Sequence, residues 1–260
     1  DVGLNLTVMM LIILGGLGFT VIYDVWKEHR WKKFSLHTKL ALGMTAVLVI
    51  AGTVLFTLME WNNPATMGPL PAGEKVLAGA FQSVTTRTAG FNSIDQGAMT
   101  NGSFLLTLIL MFIGAAPGST GGGIKVTTFF VLLLTTYSIV RGRQEAVIGK
   151  RSLGKDLIRR AAAIAVLAMM LVLLSTRLIC VIETNNPQVT LETALYECIS
   201  ALATVGLSCG LTPNLSSSSK LILMFLMFCG RVGPLTISTA LANGQKKSAI
   251  RYPESRIMIG

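Results

Sequence analysis

The chain has 260 residues, of which 52% are hydrophobic and only 13% charged, with a mean hydropathy of +0.64. Soluble domains carry about a quarter charged residues, so the composition excludes an ordinary water-soluble fold and points to a membrane protein. A net charge of +10 raises the question of nucleic acid, but the cations lie in connections between apolar runs, where they set topology and meet anionic lipid, and no nucleic-acid partner is expected.

Crossing roughly 30 Å of hydrocarbon takes about 20 apolar helical residues, and five stretches qualify: residues 7–26, 40–59, 105–140 with a broken middle, 161–182, and 221–242 with a glycine and proline interruption. The first carries Gly15-Gly16-Leu17-Gly18. Each glycine weakens a helix by about 1 kcal/mol, which is tolerated where close helix contact uses the missing side chain. The basic linker 27–39 contains both histidines, His29 and His37. With neither in a span, an intramembrane His-based catalyst or proton relay has nothing to work with.

Span 40–59 ends at Glu60-Trp61-Asn62-Asn63-Pro64, where Trp61 suits the membrane interface and Pro64 stops the helix. Residues 76–86 are too few to cross, so they form a half-helix that enters and stops. Irregular backbone at membrane depth is tolerated only in a protein interior or beside a water-filled cavity, so Thr88-Ala89-Gly90-Phe91 is expected to line a pore. Gly90 can adopt φ values closed to other residues, which lets flanking carbonyls face a common axis and replace a cation's hydration shell.

Within 105–140, residues 114–125 hold Gly114, Pro117, Gly118, Ser119, Thr120, Gly121, Gly122, Gly123 and Lys125. Five glycines and a proline cannot keep a continuous helix, and the stretch reads as a flexible barrier beneath the pore loop. Gly118 and Gly123 also fit a phosphate-binding G-x-x-x-x-G-K-[ST] pattern, but Ile124 stands where the lysine belongs and no strand precedes. An intramembrane hydrolase at Gly118-Ser119-Thr120-Gly121 would need a base near Ser119. There is no intramembrane histidine, and Lys125 is six positions away.

The basic linker 141–160 leads to span 161–182, the acidic connection 183–192, a second half-helix over 193–203 and the loop Thr204-Val205-Gly206-Leu207. The closing helix carries Gly230-Arg231-Val232-Gly233-Pro234. An arginine in an apolar span costs several kcal/mol, so Arg231 is expected to face the bundle interior with a partner and a functional role. The plainer alternative is a salt bridge to Glu197 or to another chain. Basic segments 27–39, 141–160 and 243–260 alternate with neutral or acidic ones, which places them and the C-terminus in the cytoplasm. Cys180, Cys198, Cys209 and Cys229 lack metal-ligand or C-x-x-C spacing and read as small apolar residues.

Gly90 and Gly206 differ by 206 − 90 = 116 positions, and the same offset pairs Ser103 with Ser219, Leu110-Met111-Phe112 with Leu226-Met227-Phe228, Gly114 with Gly230 and Thr120 with Thr236. One unit has been used twice. Residues 40–140 and 161–242 are two complete helix, pore-loop and helix units, and 1–26 reads as the closing helix of an earlier one, so a preceding part is expected. The fold class is an all-α polytopic membrane protein of repeated helix–pore-loop–helix units with broken second helices. A non-conducting assembly module would use the same glycines for close packing.

Thr88-Ala89-Gly90-Phe91-Asn92-Ser93, the loop at 118–125 and Gly230-Arg231-Val232-Gly233-Pro234 resemble the potassium-transporting membrane subunits of the Trk/Ktr/HKT superfamily, in its bacterial Ktr branch. The resemblance implies four fused units around one ion pathway, each giving a filter strand with a central glycine, two of which match Gly90 and Gly206. It implies K⁺ as the transported ion at the filter residues, the glycine-rich loop and Arg231 as the gate, and Na⁺ as an activator or coupling ion. It further implies a homodimer in the bacterial plasma membrane, seated on a ring of cytosolic KtrA subunits through which nucleotide acts.

Overall fold

The computed structural model describes residues 1–143, 145–148, 151–233 and 236. Residues 234, 235 and 237–242 of the last expected span, and the tail 243–260, lie outside the described residues.

The chain is helical: α1 (Val2–Leu17), α2 (Phe19–Glu28), α3 (Leu36–Glu60), α4 (Ala72–Thr85), α5 (Asn101–Phe112), α6 (Val126–Val140), α7 (Lys155–Ile182), α8 (Leu191–Leu202) and α9 (Ser217–Val232). Within the basic linker 141–160, β1 (Val147–Ile148) pairs antiparallel with β2 (Arg151–Ser152). Side chains at the helix starts supply the acceptors that free N–H groups need. Asp1 caps α1, Ser35 α3, Thr100 α5, Thr190 α8 and Ser216 α9.

At 1.5 Å per residue, the 25 residues of α3 and 28 of α7 reach about 37 and 42 Å, enough to cross a bilayer. Both carry exposed apolar side chains, among them Val47, Ile50, Leu58, Leu173 and Leu178. The 14 residues of α4 and 12 of α8 cannot cross, and these are the two half-helices expected from the sequence. Helix α8 is buried from Tyr196 to Leu202 without a polar stripe. It sits between Ala168 and Val172 of α7, Leu223 and Leu226 of α9, and Met111 of α5.

The expected first span is not one straight helix. Gly18 takes φ 86° and ψ 148°, and α1 and α2 meet there at 96°. Helix α9 stops at Gly233 with φ 95° and ψ 130°. Both helices have 16 residues and end on the same kind of glycine, 232 − 17 = 215 positions apart, and the same offset pairs Gly15 with Gly230 and Gly18 with Gly233. The span 105–140 is interrupted as expected, with α5 ending at Phe112 and α6 starting at Val126.

Candidate functional site

The two pore loops begin where α4 and α8 end, and they bend the same way. Thr88 (φ 71°) and Thr204 (φ 53°) occupy the left-handed region, as do Gly90 (φ 78°) and Gly206 (φ 90°) two residues on. A left-handed threonine costs about 1–2 kcal/mol, so its occurrence at both matched positions is strain held by the surrounding structure. Each carbonyl after the glycine is tied to a hydroxyl in the last turns of its half-helix: Thr85 Oγ1 donates to the Phe91 carbonyl, and Ser200 Oγ to that of Leu207 at 2.6 Å.

The loops meet. A Cβ on Gly90 would lie 2.6 Å from the Val205 carbonyl oxygen, and one on Gly206 would lie 3.5 Å from Gly90 Cα. Directly against them runs the 114–125 loop. A Cβ on Gly121 would strike Thr88 Oγ1 at 2.4 Å, and one on Gly122 would strike Thr204 Oγ1 at 2.3 Å. Two adjacent glycines therefore each receive one threonine of the two pore loops, an approach that side chains would forbid.

The glycine-rich loop is held by backbone hydrogen bonds. Gly114 N–H donates to the Ile124 carbonyl at 2.8 Å and Val126 N–H to that of Ala115 at 3.1 Å, closing the loop on itself. Because α1 ends at Gly18, its last carbonyls have no helical partner, and the loop supplies one. Ala116 N–H donates to Gly16 O at 2.9 Å, Thr120 N–H to Gly15 O at 3.2 Å, and Phe19 N–H returns to Gly118 O at 3.2 Å. Lys125 Nζ donates to the Gly121 carbonyl.

Arg231 reaches the same loop, donating to the Thr120 carbonyl. The salt bridge to Glu197 weighed from the sequence does not form. Glu197 instead accepts from Ser208 Oγ at 2.5 Å, Cys209 N–H at 3.1 Å and Thr212 Oγ1 at 2.7 Å, bracing the chain just beyond the second pore loop. Beyond the first, the brace is a reciprocal amide pair. Gln82 Nε2 donates to Gln96 Oε1 at 2.8 Å, Gln96 Nε2 to Gln82 Oε1 at 3.1 Å, and Tyr196 Oη joins at 3.0 Å.

Three features escaped the sequence reading. The motif E-x-N-N-P occurs at 60–64 and again at 183–187, a signal that was available. Glu60 accepts from Thr100 N–H at 2.8 Å and from Thr100 Oγ1 at 2.6 Å, while Glu183 accepts from Ser216 N–H at 2.8 Å and Ser219 Oγ at 2.6 Å. Each carboxylate anchors the start of its unit's closing helix, where an anion suits the helix dipole. Hydrogen bonds from Ser216, then Ser219, pull the Glu183 carboxyl down to about 2. Arg87 is buried at 6% exposure and contacts Thr45 Oγ1 at 3.2 Å, with Nε unpartnered among the described residues.

Two matched strained loops, two half-helices and an interrupted closing helix define an all-α membrane protein built from repeated helix–loop–helix units. The chain belongs to the TrkH family, described as cation transport proteins, whose family model matches residues 2–249. Ktr system potassium uptake protein B of Bacillus subtilis is 43% identical over 260 residues, covering 100% of this chain and 57% of that protein. The protein of the same description from Vibrio alginolyticus is 42% identical over 260 residues, covering 98% of this chain and 56% of its own. The potassium/sodium uptake protein NtpJ of Enterococcus hirae is 38% identical over 262 residues, covering 100% and 58%. The crystal structure of the potassium transporter TrkH from Vibrio parahaemolyticus shares the fold, with a TM-score of 0.73 at 17% identity over 93% of this chain and 52% of that one. The chain spans a little over half the length of the curated relatives it matches.

This is a family of ion transporters, not enzymes. The hydrolase alternative at 118–121 falls with that membership, and Ser119 Oγ has no hydrogen-bond partner among the described residues to activate it.

Proposed function

We propose that the protein to which this chain belongs takes up K⁺ across the bacterial cell membrane, with Thr88 to Phe91 and Thr204 to Leu207 as two of its filter strands. The observation that carries this reading is the matched pair of left-handed threonine and glycine positions in two touching loops, with Gly121 and Gly122 packed against the two threonines. Carbonyls fixed in such loops stand in for water around a cation without any carboxylate. The 114–125 loop, pinned to α1 and held by Arg231, blocks the way beyond them and is the gate. Release of the Arg231 and α1 contacts would free its glycines to move aside.

The relatives' names extend the proposal. Two are potassium uptake proteins of a Ktr system and one is a potassium/sodium uptake protein, so Na⁺ is proposed as an activating or coupling ion. A cytosolic nucleotide-binding KtrA ring and a second copy of the membrane subunit are the proposed partners, facing the basic linkers 27–39 and 141–160 and a cytoplasmic C-terminus. Residues 27–39, 141–160 and 243–260 are accordingly proposed as cytoplasmic segments around the units 40–140 and 161–242.

The test is radiolabelled rubidium or K⁺ uptake by the full-length parent in uptake-deficient cells, comparing wild type with Gly206→Ser at matched membrane abundance. A changed half-saturation or K⁺ over Na⁺ preference supports the filter assignment. Identical uptake in both would leave only the packing role.

A further inference from the structure

Between the first turns of α3, the first turns of α6, the β1–β2 hairpin and the start of α7 lies a cavity of about 500 Å³, within the roughly 300–1,000 Å³ of small-molecule sites. Leu36, Leu40, Val131, Leu157 and Ile164 make its wall largely aliphatic, while His37, Thr127, Thr128 and the exposed Arg160 bring the polar groups. Residues 151–160 carry Arg151, Lys155, Arg159 and Arg160 against the single acid Asp156. An aliphatic chamber with a cationic edge suits an amphiphile with an anionic head, since a free phosphate or nucleotide would meet the cationic edge but leave the aliphatic wall unfilled.

The position narrows the occupant further. The cavity lies where α3 and α7 begin, beside the basic segments that the positive-inside pattern assigns to the cytoplasmic surface, and basic pockets between membrane helices at that level hold anionic headgroups. All four elements around it belong to this chain. We infer that the cavity takes an acyl chain of an anionic phospholipid of the inner leaflet, its phosphate held by Arg160.

Such a lipid would touch the proposed gate at both ends. Pro117 lines the cavity from within the 114–125 loop, and Thr127 and Thr128 line it from the turn of α6 that follows Lys125. Pro117 is itself held from the other side, since a Cβ on Gly18 would lie 2.5 Å from its carbonyl oxygen. Filling the cavity therefore restrains the segment that must move for the loop to clear the pore. This coupling rests on the gating role proposed for 114–125; lipid binding does not.

The experiment uses the full-length parent with its cytosolic partner, reconstituted in phosphatidylcholine vesicles with or without phosphatidylglycerol. Retained lipid is read by native mass spectrometry and rubidium flux is read in parallel. Wild type should retain phosphatidylglycerol over phosphatidylcholine, and its flux should depend on phosphatidylglycerol. Arg160→Gln should weaken that retention about tenfold, the worth of one hydrogen bond to a charged group. Arg160→Lys should restore most of it, and Leu157→Trp, which fills the chamber from an exposed position, should abolish it.

Equal phosphatidylglycerol retention in wild type, Arg160→Gln and Leu157→Trp would overturn the site. So would absence of retained lipid together with protection of Leu157→Cys from thiol labelling by the cytosolic partner, which would assign the cavity to a protein contact. Selective retention with lipid-independent flux would overturn the coupling alone. A Gly206→Ser protein with unaltered ion preference would count against the filter reading while leaving the lipid result to stand.

Discussion

The stretch from α3 to α6 and the stretch from α7 to α9 start alike and differ at their closing helices. Their pore loops share left-handed threonine and glycine positions, and the single 3-10 turns beyond them, Gln96–Ala98 and Thr212–Asn214, keep the 116-residue offset. Then α9 runs on through Gly230 to Val232, whereas α5 leaves the helix at Phe112. Gly230 and Gly114 are matched glycines in opposite roles. Inside α9, Gly230 lets the helix press on the Leu202 carbonyl of α8; at the end of α5, Gly114 faces the Gly122 carbonyl across the loop. The next residues in each unit decide the outcome, since Ala115-Ala116-Pro117-Gly118 cannot propagate a helix and Arg231-Val232 can. The two units have kept the same strained loop, and in one of them the closing helix is broken.

The comparison breaks hardest at Gly230. A Cβ there would sit 1.7 Å from the Leu202 carbonyl oxygen, on packed helix backbone, so Gly230→Ala should destabilise by about 3 kcal/mol and remove most of the protein from the membrane. Gly114→Ala meets the Gly122 oxygen at 2.2 Å, but that atom belongs to a glycine-rich loop. Membrane abundance should stay near wild type and resting rubidium flux should rise. Matching loss of abundance in both variants would show the loop to be as rigid as the helix.

Next are Gly90 and Gly206, the glycines of the proposed filter. Both have positive φ, yet only a Cβ on Gly90 would collide with the other loop, at 2.6 Å from the Val205 carbonyl. Gly90→Ala should therefore reduce K⁺ over Na⁺ preference more than Gly206→Ala does, measured as rubidium uptake under sodium competition. The reverse order would mean that contact between the loops does not set their spacing.

The two E-x-N-N-P carboxylates differ in burial, Glu60 at 0% exposure and Glu183 at 8%. Glu60→Gln should cost about 2 kcal/mol, the scale of a hydrogen bond to a buried charge, and lower the melting temperature more than Glu183→Gln. Glu183 adds a pH signature. Its folded value of about 2 lies below the ordinary glutamate value of about 4.3, so its stabilisation is present above that value and is lost as pH falls toward 2. Glu183→Gln should flatten the acid limb of the melting curve.

The smallest effect is expected at Ser200. Ser200→Ala removes one neutral hydrogen bond to the Leu207 carbonyl, worth about 1 kcal/mol. A shift of a few-fold in half-saturation for K⁺, without loss of protein, is the expected reading.

The sequence by itself determined the membrane class, the two repeats with their half-helices, and the interruption of the closing helix at 114–125. These depend on apolar run length, on glycine and proline, and on a fixed offset, all of which are local. It also pointed to Thr88 and Thr204 as loop residues, but not to their shared left-handed conformation, because threonine rarely adopts it unless its surroundings compel it.

Only the tertiary structure decided what touches what. Arg231 could be read as needing an interior partner, yet the choice between Glu197 and the Thr120 carbonyl depended on Glu197 being taken already by Ser208, Cys209 and Thr212. The seating of Gly121 and Gly122 against two threonines, and of the loop against the broken end of α1, joins residues about 30 to 105 positions apart. Helix periodicity carries no information at that range, and contacts of glycine backbone leave no side-chain pattern in the sequence.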